Sequence, residues 1–317
     1  MVVLPGVRPS RPISVVSIAG SDSGGGAGIQ ADLLTFAAHG LWGATVIVAG
    51  TAQNTRGIVS VEAFSPRFVS RQLDAVFSDF APAAVKIGML YDSGHVRAVA
   101  AGLRRHRAAN VVLDPVLSST GGLSLLTGEG LRDLRRDLLP LCDLVTPNFE
   151  EAAKIAGMGA LTTEEDVRLA ARKIAELGVR AVLITGGHAS GDRISDLLWN
   201  GRRFQVFEHR RIATKATHGT GCTLSSAIAA NLALRHGLET AVSRAIRYLA
   251  AALRRGIFPG GGAGVPRHLP RRQVSGDSSS TSSRTGSRGR RKPSRRSRSA
   301  PRRARRPAPD PGSSPSP

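Results

Sequence analysis

Cysteine is nearly missing from these 317 residues: Cys142 and Cys222 are the only two, far apart in the chain. No CxxC pair or clustered Cys/His set can therefore hold a structural zinc or a disulfide framework, and a reducing cytoplasm is the expected compartment. Aromatic residues make up only 4% of the chain, and long apolar runs are absent. The longest charge-free stretches, such as Leu41 to Ala52, fall short of the ~20 residues a spanning helix needs, so no membrane association is expected. The Ile13 to Gly20 run after Arg8 and Arg11 is likewise too short for a signal sequence and leads into a glycine-rich loop. Acidic residues are also in deficit, with 23 Asp+Glu against 44 Lys+Arg and a formal charge of +21.

That imbalance is unevenly spread. Residues 266–317 hold 15 Lys+Arg and two acids, leaving 29 and 21 before them, a split of +13 and +8. The segment has no aromatic residue and is dense in Ser, Arg, Pro and Gly. Such a composition cannot bury enough apolar surface to offset its ordering entropy, which predicts a disordered basic tail. It can act as a polyanion-binding arm, making non-specific contact with nucleic acid through counterion release. The plainer reading, a solvated extension, is the stronger one because no stacking groups accompany the charge. A shifted reading frame near residue 265 would produce the same abrupt change of composition.

What is present, at 41% hydrophobic, is a pattern of alternating elements. Apolar runs at Ile13 to Ala19, Ala44 to Ala49, Ala84 to Ile87, Asn110 to Leu113, Leu144 to Val145 and Arg180 to Ile184 suit buried parallel strands. Between them, Pro66 to Phe80 repeats apolar residues on one face, with Ser65 as cap and Pro66 in the first turn. Glu164 to Gly178 does the same behind a capping box of Thr162 and Glu165. Alternation of this kind predicts an α/β fold with helices on both faces of a mostly parallel sheet. Ile194 to Trp199 and Arg203 to Phe207, joined by Asn200-Gly201, add an antiparallel hairpin. The expected organisation is an N-terminal extension over 1–12, one domain over 13–265 and the tail over 266–317.

Ligands in such folds collect at the carboxyl ends of the strands, where four loops stand out. Gly20 to Gly28 lacks the Gly-Lys-Ser/Thr of a phosphate loop and the dinucleotide glycine spacing, yet its glycines can bring backbone amides to a ligand, with Asp32 one turn into the next helix. His218-Gly219-Thr220-Gly221-Cys222 runs straight into a small-residue helix, a start that offers free amides and a positive dipole end to a transferring phosphoryl group. The same field is expected to favour the Cys222 thiolate, although a buried structural cysteine is an equal alternative from position alone. Asp114-Pro115-Val116 and Asn148-Phe149-Glu150-Glu151 put carboxylates at strand ends, where one or two acids can hold a hydrated Mg²⁺ or simply cap a helix.

Taken with Ala52 to Gly57, Lys86 to Leu90, Val112 to Val116, Thr146 to Asn148 and Gly186 to His188, these motifs resemble the hydroxymethylpyrimidine/phosphomethylpyrimidine kinases of thiamine biosynthesis, in the ribokinase-like superfamily. The resemblance spans about residues 13–256 and keeps the family's motif order. It implies a ribokinase-like three-layer α/β/α sandwich that uses ATP and Mg²⁺ to phosphorylate 4-amino-5-hydroxymethyl-2-methylpyrimidine and then its monophosphate. A pyridoxal kinase shares this fold and loop and is the nearest alternative; a polyanion binder acting through the tail is the weaker one. The resemblance further implies that Gly20, Asp32, Gln53, Met89 and Val116 bind the pyrimidine. Gly219, Thr220 and Gly221 would form the anion hole, with Cys222 in the slot that many relatives fill with a catalytic Asp. Asn148 and Glu151 match the superfamily's Asn-x-x-Glu of the Mg²⁺–phosphate network, with Asp114 close by. Thr185 stands where relatives often carry a nucleotide-contacting Lys, and Gly262 to His268 only partly echoes the family's closing segment. Relatives are commonly homodimers.

Overall fold

The computed structural model describes residues 11–119, 121–187 and 191–268. The basic tail beyond His268, most of the expected N-terminal extension, and His188 lie outside them.

Among the described residues, nine strands form one sheet in the order β3-β2-β1-β4-β5-β6-β7-β8-β9. They are β1 (Ser14–Asp22), β2 (Trp42–Asn54), β3 (Gly57–Ala63), β4 (Ala84–Ile87), β5 (Val111–Leu113), β6 (Leu144–Val145), β7 (Val182–Ile184), β8 (Arg193–Trp199) and β9 (Phe204–Arg210). The six strands from β2 through β1, β4, β5 and β6 to β7 run parallel, while β3 at one edge and β8 and β9 at the other are antiparallel. Helices α1 (Gly28–Ala38), α7 (Thr220–Ala233) and α8 (Leu238–Arg254) cover one face. The other carries α2 (Pro66–Phe80), α3 (Ser93–Arg105), α4 (Gly128–Asp133), α5 (Phe149–Ala156) and α6 (Glu164–Ala175). Alternation decides which core each strand residue joins: Val16, Ile18, Val85 and Ile87 join the α2–α6 side, whereas Val15, Ala84, Val112 and Leu144 join the α1/α7/α8 side. The three-layer α/β/α architecture is thus established, and its parallel strands reverse order between β1 and β4, which sets a crevice at their carboxyl ends.

The Pro66–Phe80 helix has the expected bounds, and the Ser65 hydroxyl accepts from the Phe68 amide. Three local expectations are corrected. The capping box of α6 is one residue later than Thr162 and Glu165: Thr163 and Asp166 exchange bonds, because the shorter Asp reaches back to the Thr163 amide. In the β8–β9 hairpin Trp199 pairs with Phe204, so the turn centres on Gly201-Arg202, with Gly201 at φ +86 and Asn200 accepting from the Arg202 and Arg203 amides. Strand β1 continues through the polar Gly20-Ser21-Asp22, because β2 stays paired to it past a register shift between Ala19 and Ser21. Strand β3 has no counterpart among the expected elements. Bonds also continue past residue 265: the Arg267 amide donates to Ala252, and His268 Nδ1 lies 3.0 Å from the Tyr248 hydroxyl.

Candidate active site

Strand β4 places Lys86 on the face that carries α1 and α7, where it has no exposed surface. Such a charge must be paired, and Asp32 of α1 provides the partner, with Nζ 2.9 Å from each carboxylate oxygen. Ser17 of β1 donates to the same carboxylate at 2.5 Å and Ser226 of α7 at 2.7 Å. The four contacts fill the accepting positions of the carboxylate. Asp32 therefore has none left for a pyrimidine edge, contrary to expectation; it ties β1, β4, α1 and α7 together beneath the crevice. Burial disfavours the Lys86 ammonium, but the charge of Asp32, with Asp114 beside it, outweighs that cost and holds it charged.

Above this floor the chain turns through Gly219 into α7. Gly219 has φ +81, and a Cβ there would run into the Gly26 carbonyl oxygen, so only glycine brings the two loops this close. Thr220 is half-buried and Gly221 exposed, and a Cβ on Gly221 would stand 3.5 Å from the Asp114 carboxylate. Cys222 occupies the first turn as expected, but its state is not the expected thiolate. Burial, helped by Asp114 and Asp32, pushes the thiol up to about 12 against the opposing pull of Lys86 and a Gly28 amide. Low-dielectric surroundings and two acids outweigh the helix end.

The glycine-rich loop is also used differently. Amides of Gly24, Gly26 and Ala27 converge on Asp22, at 2.8 to 3.1 Å, rather than waiting for a ligand. His218 Nε2 closes on the same carboxylate at 3.0 Å and lies 3.3 Å from the Gln53 amide. Ser23 fixes the Gln53 backbone from both sides, donating to its carbonyl and accepting from its amide. Gly20 packs directly on Met89, which joins Ala49, Leu125 and the half-buried Val116 in a small apolar cluster under β3. Gly20, Met89 and Val116 thus pack together near the strand ends, and His218 links Gln53 to the start of α7.

At the other end, Asp114 follows β5, with Ser225 donating to it at 3.2 Å, and burial raises its pKa. Asn148 caps α5 and exchanges bonds with Glu151, 3.0 Å each way. Burial and then the charge of Asp114 push Glu151 up to about 8. Thr185 bridges to Asn148 at the end of β7. Among the described residues no group of three or more His, Cys, Asp or Glu forms a ready-made metal cage.

The phosphomethylpyrimidine kinase family model matches residues 22–267, a span that holds the glycine loop's end, both acids and the thiol helix start. The chain belongs to the phosphomethylpyrimidine kinase family. The hydroxymethylpyrimidine/phosphomethylpyrimidine kinase of Rhizobium meliloti is 50% identical over 75% of the chain and 89% of its own length. The bifunctional thiamine biosynthesis protein ThiED of Geobacter sulfurreducens is 47% identical over 81% of the chain, which spans only 52% of that longer protein. Among solved structures, the ADP complex of Bacillus subtilis pyridoxal kinase superposes with a TM-score of 0.75 at 33% identity, covering 81% of this chain and 97% of that one.

Within this family member, the sequence reading assigned no role to Lys86, Asp22, His218, Ser225 or Ser226. A lone lysine in the buried strand Ala84-Val85-Lys86-Ile87 was the available signal, since such a charge demands a buried partner. Asp22 and His218 carried no comparable mark, because their pairing joins positions 196 residues apart.

Proposed function

We propose that the chain transfers the terminal phosphoryl group of ATP to 4-amino-5-hydroxymethyl-2-methylpyrimidine and then to the resulting monophosphate. The observation that carries this reading is the reach of His218: one ring touches Asp22 of the opening loop and Gln53, and stands four residues before Cys222. In the proposed site Gln53 takes the aminopyrimidine edge, since an amide offers donor and acceptor together. Met89 and Val116 pack on the ring, and Gly20 approaches it through backbone.

The amides of Gly219, Thr220 and Gly221 receive the transferring phosphoryl oxygens at the helix start, where aligned dipoles favour negative charge. Cys222 rests as a thiol; once ionised, its sulfur accepts the proton of the attacking hydroxyl as the new P–O bond forms, and Lys86 favours that ionisation. Asn148 and Thr185 flank the nucleotide phosphates. Burial and then the like charge of Asp114 raise the pKa of Glu151, a strain that a divalent cation would relieve, so Asp114 and Glu151 would hold Mg²⁺. When bound, that ion neutralises charge on the phosphates. A homodimer and a cytoplasmic compartment belong to the same proposal.

Coupled ATP-consumption kinetics on the purified chain test it, with the pyrimidine alcohol, its monophosphate and pyridoxal supplied in turn. Turnover of both pyrimidines with the larger kcat/KM supports the reading. A preference for pyridoxal, the substrate of the superposed Bacillus enzyme class, replaces it with the alternative.

A further inference from the structure

Gln53 sits in a frame that controls more than its position. A carboxylate only accepts hydrogen bonds, and Asp22, which three backbone amides and His218 hold ionised against the cost of burial, takes His218 Nε2 at 3.0 Å. Nε2 therefore carries the ring proton. The Gln53 side-chain amide stands 3.3 Å from the same nitrogen with its own Nε2 placed toward the ring, which sets donor against donor, so the hydrogen-bond network assigns the amide the other way round, oxygen to His218. Turning the amide over puts its NH₂ in the place 3.0 Å from the Thr51 hydroxyl that Oε1 otherwise holds. Thr51 can accept that bond because its own proton goes to the Ser21 carbonyl at 3.1 Å. Every donor then meets an acceptor, whereas the reversed amide sets N–H against N–H. His218 cannot turn away: its amide donates to Gly264, and its ring is pressed so closely on Gly26 that a Cβ there would come within 2.6 Å of it.

We propose that Asp22, acting through His218, fixes which way round the Gln53 amide faces and thereby makes the site selective for a 4-aminopyrimidine over its 4-oxo counterpart. The inference rests on the proposed substrate reading. An aminopyrimidine edge presents an acceptor ring nitrogen beside a donor amino group; a 4-oxo ring presents the reverse pattern. To bind the oxo ring Gln53 must flip, and the flip places two donors in contact at His218. His218 and Asp22 are positioning residues here, and Gln53 makes the contact.

The test compares kcat/KM for the 4-amino alcohol and its 4-oxo analogue in the wild-type chain, His218→Leu and His218→Gln. Losing a buried hydrogen-bond partner corresponds to about tenfold or more in selectivity. The amino/oxo ratio should fall by about that factor in His218→Leu and recover in His218→Gln, which returns an N–H donor. A ratio unchanged in His218→Leu while both substrates slow equally overturns the inference, because that is the signature of a purely structural role. A second readout needs no variant: nitrogen NMR of the labelled wild-type chain must find the His218 proton on Nε2, and an unprotonated Nε2 also overturns it. A wild-type chain that turns over neither pyrimidine overturns the substrate reading itself, a result distinct from intact turnover with intact selectivity in His218→Leu.

Discussion

Lys86 Nζ stands 2.9 Å from both carboxylate oxygens of Asp32, and neither side chain has any exposed surface. Removing one member of such a pair strands the other charge in a dry interior, which costs about 3–5 kcal/mol, whereas removing both can be nearly neutral. Lys86→Met should therefore lower the unfolding free energy by that order, and the Lys86→Met/Asp32→Asn pair should recover most of it. Chemical denaturation of the single and double variants checks the sign of the coupling.

Thiol reactivity follows from the same charges. With Cys222 pushed up to about 12, the thiolate is a small fraction at pH 7 and grows about tenfold per pH unit until the pH nears that value. Iodoacetamide should modify the unliganded chain slowly at pH 7 and ever faster through pH 10, with no plateau near 8.5. Mass spectrometry should find the adduct on the half-buried Cys222, since Cys142 is buried and pushed higher still. Early saturation would mean that Lys86 and the helix end prevail over burial.

Gly219 lets a separate test reach the anion hole. Its φ of +81 and its contact with Gly26 both exclude a side chain, so Gly219→Ala must displace the start of α7. Turnover should fall by about a hundredfold or more, as when an oxyanion donor is lost. Pyrimidine binding, measured by calorimetry, should weaken far less.

Much of this architecture was legible because it is local. Ser65, Pro66 and one apolar face define α2 within fifteen residues, and the four-residue run Ala84-Val85-Lys86-Ile87 marks β4. Strand β3 escaped because it is an edge strand: Val59 is 81% exposed, so burial imposes no clean alternation. At the site, motif spacing brought Gly20, Gln53, Met89 and Cys222 to the strand ends, which connectivity alone guarantees. Asp32 and the Cys222 thiolate were misread for one reason. Charge state depends on partners distant in sequence, here Lys86, Ser17 and Ser226 around Asp32, and Asp114 beside Cys222.

The C-terminal boundary gives the last prediction. Beyond Val265, which pairs with Ile257, the Arg267 amide donates to Ala252 at 3.1 Å. His268 Nδ1 lies 3.0 Å from the Tyr248 hydroxyl and 3.3 Å from that of Thr35, one turn after Asp32 on α1. Burial raises Tyr248 to about 12 and lowers His268, so both are neutral at pH 7 and their stability contribution there is a hydrogen bond rather than a charge pair. Ending the chain after His268 should leave kcat and KM unchanged while abolishing salt-sensitive retention on heparin, because it removes most of the basic excess. Ending it after Val265 deletes these half-buried bonds as well and should cost about 1–3 kcal/mol, seen as a lower Tm even where turnover survives. If the two truncations melt alike, residues 266–268 are not part of the folded domain and its boundary falls back to residue 265.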